Sequence, residues 1–242
     1  MEWQLKPARD LGLPLKERLV SQKREFGLVA TATHWCWRQL LRRYLHWAHR
    51  LEVTGLQYLP APPFVMIANH SSHLDALTLT AALPGPLADR TYPIAAGDTF
   101  FSSFTASAFA AYAVNALPMW RKRTKLEDLD ALRRRLVEDR LIYVLFPEGT
   151  RSRDGRMAAF KPGIGAFVAA SEVAVVPCYL DGAFAAWPPQ RRFPRPGRLH
   201  LSIGAPLSFA NLPNERAAWA GVADTCEAAV RRLACERETA LF

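Results

Sequence analysis

The chain has 242 residues, half of them hydrophobic, and a net charge of +9 at neutral pH. This length and composition predict a folded protein with a real core and exclude a disordered tail. The positive charge predicts an anionic partner, either nucleic acid, anionic lipid headgroups or a phosphorylated substrate. The four cysteines are far apart and form no Cys-x-x-Cys pair, which argues against a zinc ribbon or a disulfide scaffold and favours a reducing cytosol.

Residues 1–50 are the first predicted unit, a basic helical segment with ten Lys or Arg against four acidic residues. From Trp37 onward apolar residues recur with a period of 3.6, and Arg38, Arg42 and Arg43 are predicted on the other face. The tryptophans of the predicted helix are Trp35, Trp37 and Trp47. Indole rings and arginines on a helix predict contact with a membrane interface. The alternative is a helix packed on its own domain with a solvated basic face.

Residues 51–242 are predicted to form one α/β domain, because strand patterns alternate with helix patterns along the chain. The predicted strands are Leu51–Thr54, Phe64–Ala68, Tyr92–Ala96, Leu141–Phe146, Val173–Leu180 and Leu199–Ile203. The predicted helices are Leu74–Leu83, a helix behind a capping box at Thr124 and Glu127, Gly163–Ser171, and a last helix from about Asn214 to Arg237. This order favours a central sheet, mostly parallel or mixed, flanked by helices.

An uncharged stretch from Thr99 to Trp120 is long enough to span a bilayer. It contains several hydroxyl side chains and Pro118, so we predict a buried helix followed by a strand instead. Its aromatic residues are Phe100, Phe101, Phe104, Phe109 and Tyr112. They are expected either to line a tunnel for an acyl chain, or to rest on lipid, or to pack in the core.

The segment Asn69–Asp75 follows the apolar strand Phe64–Ala68 and contains a His and an Asp five positions apart. A carboxylate at this spacing can hold the imidazole in one tautomer and stabilise its protonated form, which predicts His70 as a general base oriented by Asp75. The alternative is that these two residues only cap a helix. No metal is predicted, because His70, His73 and Asp75 lack a further set of ligands.

A second constellation, Phe146–Ser152, follows another buried strand and combines an acid, a glycine, two hydroxyls and an arginine. The ends of such strands line the ligand site in open α/β sheets. Glycine lets the backbone approach an anion closely, and arginine forms forked hydrogen bonds to phosphate. This segment is therefore a candidate phosphate site, although a β-turn with a surface arginine would give the same pattern.

Together the two segments resemble the glycerolipid acyltransferases, the family that includes 1-acylglycerol-3-phosphate acyltransferase. The Asn-His-x4-Asp motif matches at Asn69, His70 and Asp75, and the Phe-Pro-Glu-Gly-Thr-Arg-Ser motif matches fully at 146–152. Two weaker motifs match between these and after them. The segment 115–121 fits the pattern Gly-x-x-Phe/Pro-x-x-Arg except that Asn115 replaces the glycine, and 175–178 supplies a hydrophobic strand with a proline.

The resemblance implies an O-acyltransferase that needs no cofactor and forms no covalent acyl-enzyme. Acyl-CoA or acyl carrier protein would be the donor, and a lysophospholipid, in the first place 1-acylglycerol 3-phosphate, would be the acceptor. The residues implied to bind the acceptor are Arg121, Glu148, Gly149, Thr150 and Arg151. Lys161 is a further candidate for phosphate contact, although it would equally suit a solvated turn.

Two other hypotheses remain open. The same chemistry on a different acceptor, such as an acylated amino acid or a glycolipid, would need His70 and Asp75 but would tolerate the loss of Arg151. A basic protein without enzymatic activity would bind nucleic acid or membranes, yet the sequence has no recognised nucleic-acid module and no stacking array of aromatics. We therefore expect no nucleic-acid partner, a membrane surface of anionic lipid, and a peripheral position on the cytoplasmic side, since no secretory segment precedes Lys6.

Overall fold

The computed structural model describes residues 7–25, 27–97, 101, 103–120 and 126–239. Within these residues seven strands form one sheet in the order β1-β7-β6-β2-β5-β3-β4. The strands are β1 Glu52–Thr54, β2 Phe64–Ala68, β3 Thr91–Ala96, β4 Leu117–Met119, β5 Ile142–Leu145, β6 Ala174–Asp181 and β7 His200–Ile203. Neighbouring strands are parallel except for β6 and β7, so the predicted mixed, mostly parallel sheet is confirmed.

Helices cover both faces of the sheet. In the described ranges they are α1 Leu15–Leu19, α2 Leu28–His49, α3 Asp75–Ala82, α4 Gly85–Ala88, α5 Phe104–Ala108, α6 Leu126–Glu138, α7 Gly163–Val168, α8 Ala183–Ala186 and α9 Arg216–Thr239. The predicted helices are confirmed to within a few residues, but the amino-terminal segment forms two helices instead of one. The predicted capping box cannot be compared, because Thr124 lies outside the described residues.

Strand β2 is the centre of the core, since all five of its residues are buried. Side chains alternate between the two faces of a strand, so Phe64 and Met66 join one apolar cluster while Val65 and Ile67 join the other. The first cluster includes residues of α2 and α3, and the second includes residues of α6, α7 and α9. A strand buried on both faces explains why its sequence is continuously apolar.

The topology brings the ends of three parallel strands to one edge of the sheet. Strand β2 lies between β5 and β6, with Ile67 paired to both Leu145 and Pro177. The segments that follow β2 and β5 are the two sequence motifs, so the sheet places these motifs side by side. Pro177, from the weaker motif at 175–178, lies in β6 next to the same edge.

Helix α2 packs against the domain instead of standing apart from it. Leu41 and Leu45 belong to the same core cluster as strand β2. The predicted basic face of this helix is wrong at Arg38, which is only 5% exposed. Its guanidinium pairs with the carboxylate of Asp89, a partner that a helical period cannot reveal.

The uncharged stretch forms helix α5, a single π-helical turn at Phe109–Ala113 and strand β4. Phe104 and Phe109 are about half exposed, so core packing does not account for them. The edge of Phe109 contacts the ring of Trp37 from α2, with centroids 5.5 Å apart. Phe100 lies outside the described residues. Within the part of the chain that the structure describes, no helix has both the length and the apolarity to cross a bilayer.

Asn115 has a left-handed backbone with φ of 59° and is buried, and its Nδ2 donates to the carbonyl of Thr91 at 2.9 Å. Glycine adopts this conformation most easily, and asparagine is among the few other residues that tolerate it. The replacement of the motif glycine by Asn115 therefore preserves the turn that precedes β4.

Replacement of glycine by alanine should change the free energy of unfolding in opposite directions at two positions, Gly182 and Gly221. Gly182, at the end of β6, has φ of 80°, and a Cβ there would lie 2.0 Å from the carbonyl oxygen of Arg198. We expect Gly182→Ala to lower the free energy of unfolding by about 2–3 kcal/mol. Gly221 lies in α9 with no atom within 4 Å of such a Cβ, so Gly221→Ala should raise it by about 0.5–1 kcal/mol. Equal shifts of the two variants in chemical denaturation would contradict this assignment.

Candidate active site

The first site segment is fixed to the sheet by the side chain of Asn69. Its Nδ2 donates to the carbonyl of Leu180 at 3.0 Å, and its Oδ1 accepts from the Leu180 amide at 2.9 Å. The side-chain amide thus continues the hydrogen bonding between β2 and β6 by one further step beyond the strand. Because Asn69 is buried, these bonds are shielded from water and hold the position where the chain leaves the sheet.

The next residue, His70, is bonded to Asp75. Its Nδ1 lies 2.8 Å from Asp75 Oδ2, and the same oxygen accepts from the backbone amides of Ser71 at 2.7 Å and Ser72 at 2.8 Å. Ser72 Oγ accepts in turn from the amide of Leu74 at 3.0 Å, so the residues just before α3 are also bonded to one another. Asp75 is the first residue of α3 and binds both the imidazole and the two backbone amides that precede the helix. The role of His70 as a general base stays a prediction.

These contacts determine the state of the His70 ring. A carboxylate accepts hydrogen bonds, so Nδ1 carries the proton and the lone pair of the neutral ring lies on Nε2. The Asp75 carboxylate is fully buried, whereas the His70 side chain keeps 16% of its surface exposed. Phe146 stacks on the imidazole with ring centroids 4.1 Å apart. The ring is thus fixed on one side and open to a ligand on the other.

Glu148, from the second motif, holds the backbone of His70. Its Oε1 accepts from the His70 amide at 2.7 Å, and its Oε2 accepts from the Ala158 amide at 2.9 Å. Burial raises the pKa of Glu148 above its usual range, while the two backbone hydrogen bonds oppose that shift. Both oxygens are engaged within the protein, which gives Glu148 a positioning role. Its contact with the acceptor stays a prediction.

The turn that follows Glu148 contains Gly149 and Thr150, and the side chain of Lys161 lies against it. Gly149 has φ of 76°, and a Cβ at this position would lie 2.7 Å from Lys161 Nζ. The lysine side chain therefore lies directly over the glycine, and its backbone amide donates to the carbonyl of Pro147 at 2.9 Å. Thr150 is exposed beside them. The structure thus brings the ammonium of Lys161 to the turn that was predicted to bind phosphate.

Arg151 precedes a residue that is bonded to the backbone of His70. The amide of Ser152 donates to the carbonyl of His70 at 2.8 Å, which joins the two motif segments directly. The Arg151 guanidinium is half-buried and contacts the ring of His73, with Nη1 3.1 Å from Nε2. Desolvation lowers the pKa of Arg151, and the charge of Asp75 opposes that shift. The guanidinium remains cationic because its ordinary pKa is far above neutral.

The structure thus brings together seven of the eight predicted site residues. Arg121, the eighth, lies outside the described residues. Sequence reasoning gave no role to the side chains of Asn69, Phe146 and His73, although all three lie within the two motifs. Their presence in those motifs was the only signal available. Among the described residues, no three His, Cys, Asp or Glu side chains cluster as a metal site.

Comparison with known proteins supports the same assignment. The family model described as Acyltransferase matches residues 50–181, which is more than half of the chain and includes both motif segments. A crystal structure of the 1-acyl-sn-glycerophosphate acyltransferase PlsC from Thermotoga maritima has a similar fold, with a TM-score of 0.61 over 84% of this chain and 81% of that one, at 22% identity.

Curated relatives carry related names. The 1-acyl-sn-glycerol-3-phosphate acyltransferase alpha of Mus musculus is 29% identical over 67% of this chain and 56% of its own length. The chloroplastic 1-acyl-sn-glycerol-3-phosphate acyltransferase LPAT1 of Arabidopsis thaliana is 32% identical over 55% of this chain and 36% of its own. The chain thus spans about half the length, or less, of these relatives. On the strength of the family match, this chain belongs to the acyltransferase family.

Proposed function

We propose that this protein transfers a fatty acyl group from an acyl thioester, either acyl-CoA or acyl carrier protein, to the free hydroxyl of 1-acylglycerol 3-phosphate. The product is phosphatidic acid. The observation that carries the proposal is the 2.8 Å contact between His70 Nδ1 and Asp75 Oδ2, next to the Arg151 guanidinium. Both curated relatives are named as acyltransferases of 1-acyl-sn-glycerol 3-phosphate, which agrees with this choice.

His70 acts as the general base in the proposed mechanism. Its Nε2 takes the proton of the acceptor hydroxyl while the hydroxyl oxygen attacks the thioester carbonyl. Asp75 stabilises the imidazolium that forms. The tetrahedral intermediate then expels the thiolate as the C–S bond breaks, and Nε2 returns the proton to the sulfur. The products are an ester and a free thiol, and no acyl group becomes attached to the protein.

The acceptor phosphate is held by the cationic groups around the second motif. Arg151 offers a forked pair of donors, and Lys161 supplies an ammonium over Gly149. Thr150 adds an exposed hydroxyl on the same turn. Because this turn is bonded to the backbone of His70, a phosphate bound here keeps the acceptor within reach of the base. By the family motif, Arg121 joins this set.

The amino-terminal helix supplies contact with the membrane. On α2, the exposed large apolar side chains are Leu28, Trp35, Leu40, Tyr44 and Trp47. Trp47 is 82% exposed, which the packing of the domain does not require. Arg42 and Arg43 are exposed on the same helix and suit anionic headgroups. We place the protein at the cytoplasmic surface of a membrane, where its lipid acceptor resides.

The general base makes the first test. His70→Ala should lower thiol release by a factor of about 10²–10⁴, measured with long-chain acyl-CoA, lysophosphatidic acid and a thiol reagent. Asp75→Asn should cause a comparable loss, because a neutral amide does not stabilise the imidazolium that forms on His70. His46→Gln, at an exposed histidine of α2, is the matched control and should keep full activity. A wild-type protein that releases no thiol with any lysolipid would refute the proposal.

Glu148 gives a second test, which separates positioning from binding. Glu148→Gln replaces one acceptor oxygen by an NH2 group that faces a backbone donor, so His70 should shift. We expect kcat to fall by about a hundredfold while the acceptor KM stays within about twofold. The matched control is Asp10→Asn, another buried carboxylate that accepts from a backbone amide. It should affect stability and leave kcat unchanged. A rise in acceptor KM alone would instead favour a direct contact between Glu148 and the acceptor.

Membrane contact is tested by binding to vesicles. The double variant Trp35→Ser, Trp47→Ser should lower the affinity for anionic phospholipid vesicles by tenfold or more in a sedimentation assay, because about 2 kcal/mol of apolar burial is lost per side chain. Phe193→Ser removes an aromatic ring that is 65% exposed on the loop after α8 and serves as the control. An equal loss of vesicle affinity in the double tryptophan variant and in Phe193→Ser would contradict a specific role for α2.

A further inference from the structure

His73 occupies a position inside the first motif that the proposed mechanism does not use. Three contacts fix it in place. Its amide donates to the carbonyl of Trp187 at 3.2 Å, and its ring lies 4.9 Å from the Trp187 ring. Arg151 Nη1 lies within hydrogen-bonding distance of its ring nitrogens. Ser72 Oγ also donates to the Trp187 carbonyl at 2.7 Å, so the loop after α8 is attached to this motif at two points.

The contact with Arg151 requires a neutral imidazole. A guanidinium has only donors, so the His73 nitrogen that faces it must accept with a lone pair. The ring also has a hydrogen bond with the backbone at Pro189, where a carbonyl is the acceptor and the imidazole must donate. A neutral ring supplies one donor and one acceptor and satisfies both partners. A protonated ring has two donors, so one of them would point at Arg151 and two cations would meet.

The surroundings favour the neutral form. Desolvation lowers the pKa of His73 most, and the positive charge of Arg151 lowers it further. Asp75 and the Pro189 backbone oppose the shift, whereas His70 adds to it. The folded protein therefore releases the proton of His73 more easily than the unfolded chain does. At neutral pH the imidazole is uncharged and its bond to Arg151 is intact.

We propose that His73 is a positioning residue that holds the Arg151 guanidinium in place for the acceptor phosphate, and that it does so only while its ring is neutral. This inference rests on the proposed function, because it assigns Arg151 to that phosphate. As pH falls through the folded-state pKa of His73, the imidazolium repels Arg151 and the acceptor affinity is lost. Because that pKa is lowered, the acceptor affinity falls only at a pH below the ordinary histidine pKa of about 6.5.

Glutamine at position 73 isolates the effect. The side-chain oxygen of His73→Gln can accept from Arg151 but cannot be protonated. We compare the acceptor KM of the wild type and of this variant between about pH 8 and about pH 5. The ratio of the two KM values removes every titration that the proteins share, including those of His70 and of the acceptor phosphate. We expect the ratio to rise by about tenfold toward acid pH, while the ratio of kcat values stays constant.

Three controls complete the design. His73→Phe removes the acceptor and should raise the acceptor KM at all pH values, which the glutamine variant should rescue. His73→Asn repeats the comparison if the glutamine protein proves unstable in thermal unfolding. His46→Gln should follow the wild-type pH profile, because His46 is exposed on α2.

The outcomes separate the two proposals. An active wild type with a constant KM ratio would overturn the role of His73 and leave the proposed function intact. An equal change of kcat and KM ratios would also overturn it, since a general structural defect would then be the cause. No thiol release by the wild type at about pH 8 would refute the proposed function, and the inference with it.

Discussion

The bond between His70 and Asp75 is the interaction on which the site depends, and it is held by one oxygen atom. Asp75 Oδ2 accepts from the imidazole and from the amides of Ser71 and Ser72, all within 2.8 Å. The three donors compensate a carboxylate that has no access to water. The start of helix α3 and the orientation of the His70 ring therefore depend on the same carboxylate. A change that disturbs the start of this helix also disturbs the ring.

The backbone of His70 is fixed from the neighbouring strand. Glu148 binds the His70 amide, and the Ser152 amide binds the His70 carbonyl, so the two motif segments hold each other by their main chains. This reciprocal attachment needs β2 and β5 to be adjacent and parallel, as they are. It also explains why an acid, Glu148, lies in a turn that is otherwise suited to phosphate. The Glu148 carboxylate accepts from two backbone amides of the protein, while Arg151 and Lys161 remain available for an anion.

The part of the site around His73 is held by contacts with the loop after α8 and with Arg151. The loop after α8 reaches the first motif through the carbonyl of Trp187, which accepts from Ser72 Oγ and from the His73 amide. His73 then contacts Arg151 from the second motif. Polar groups in such a network act together, because each fixes the donor or acceptor state of the next. The ring of His73 is the member of this network whose charge changes at acid pH, because burial and the charge of Arg151 lower its pKa.

The sequence by itself determined the alternation of strands and helices, the central buried strand and the two motif segments, since these depend on local period and composition. It also identified His70 and Asp75, which lie only five positions apart. The tertiary structure alone decided the partners that are distant in sequence. Glu148 meets the His70 amide, and Arg151 meets His73, each across 78 positions. The burial of Arg38 likewise depends on Asp89, 51 positions away. No sequence period relates such pairs, because the order of strands in the sheet brings them together.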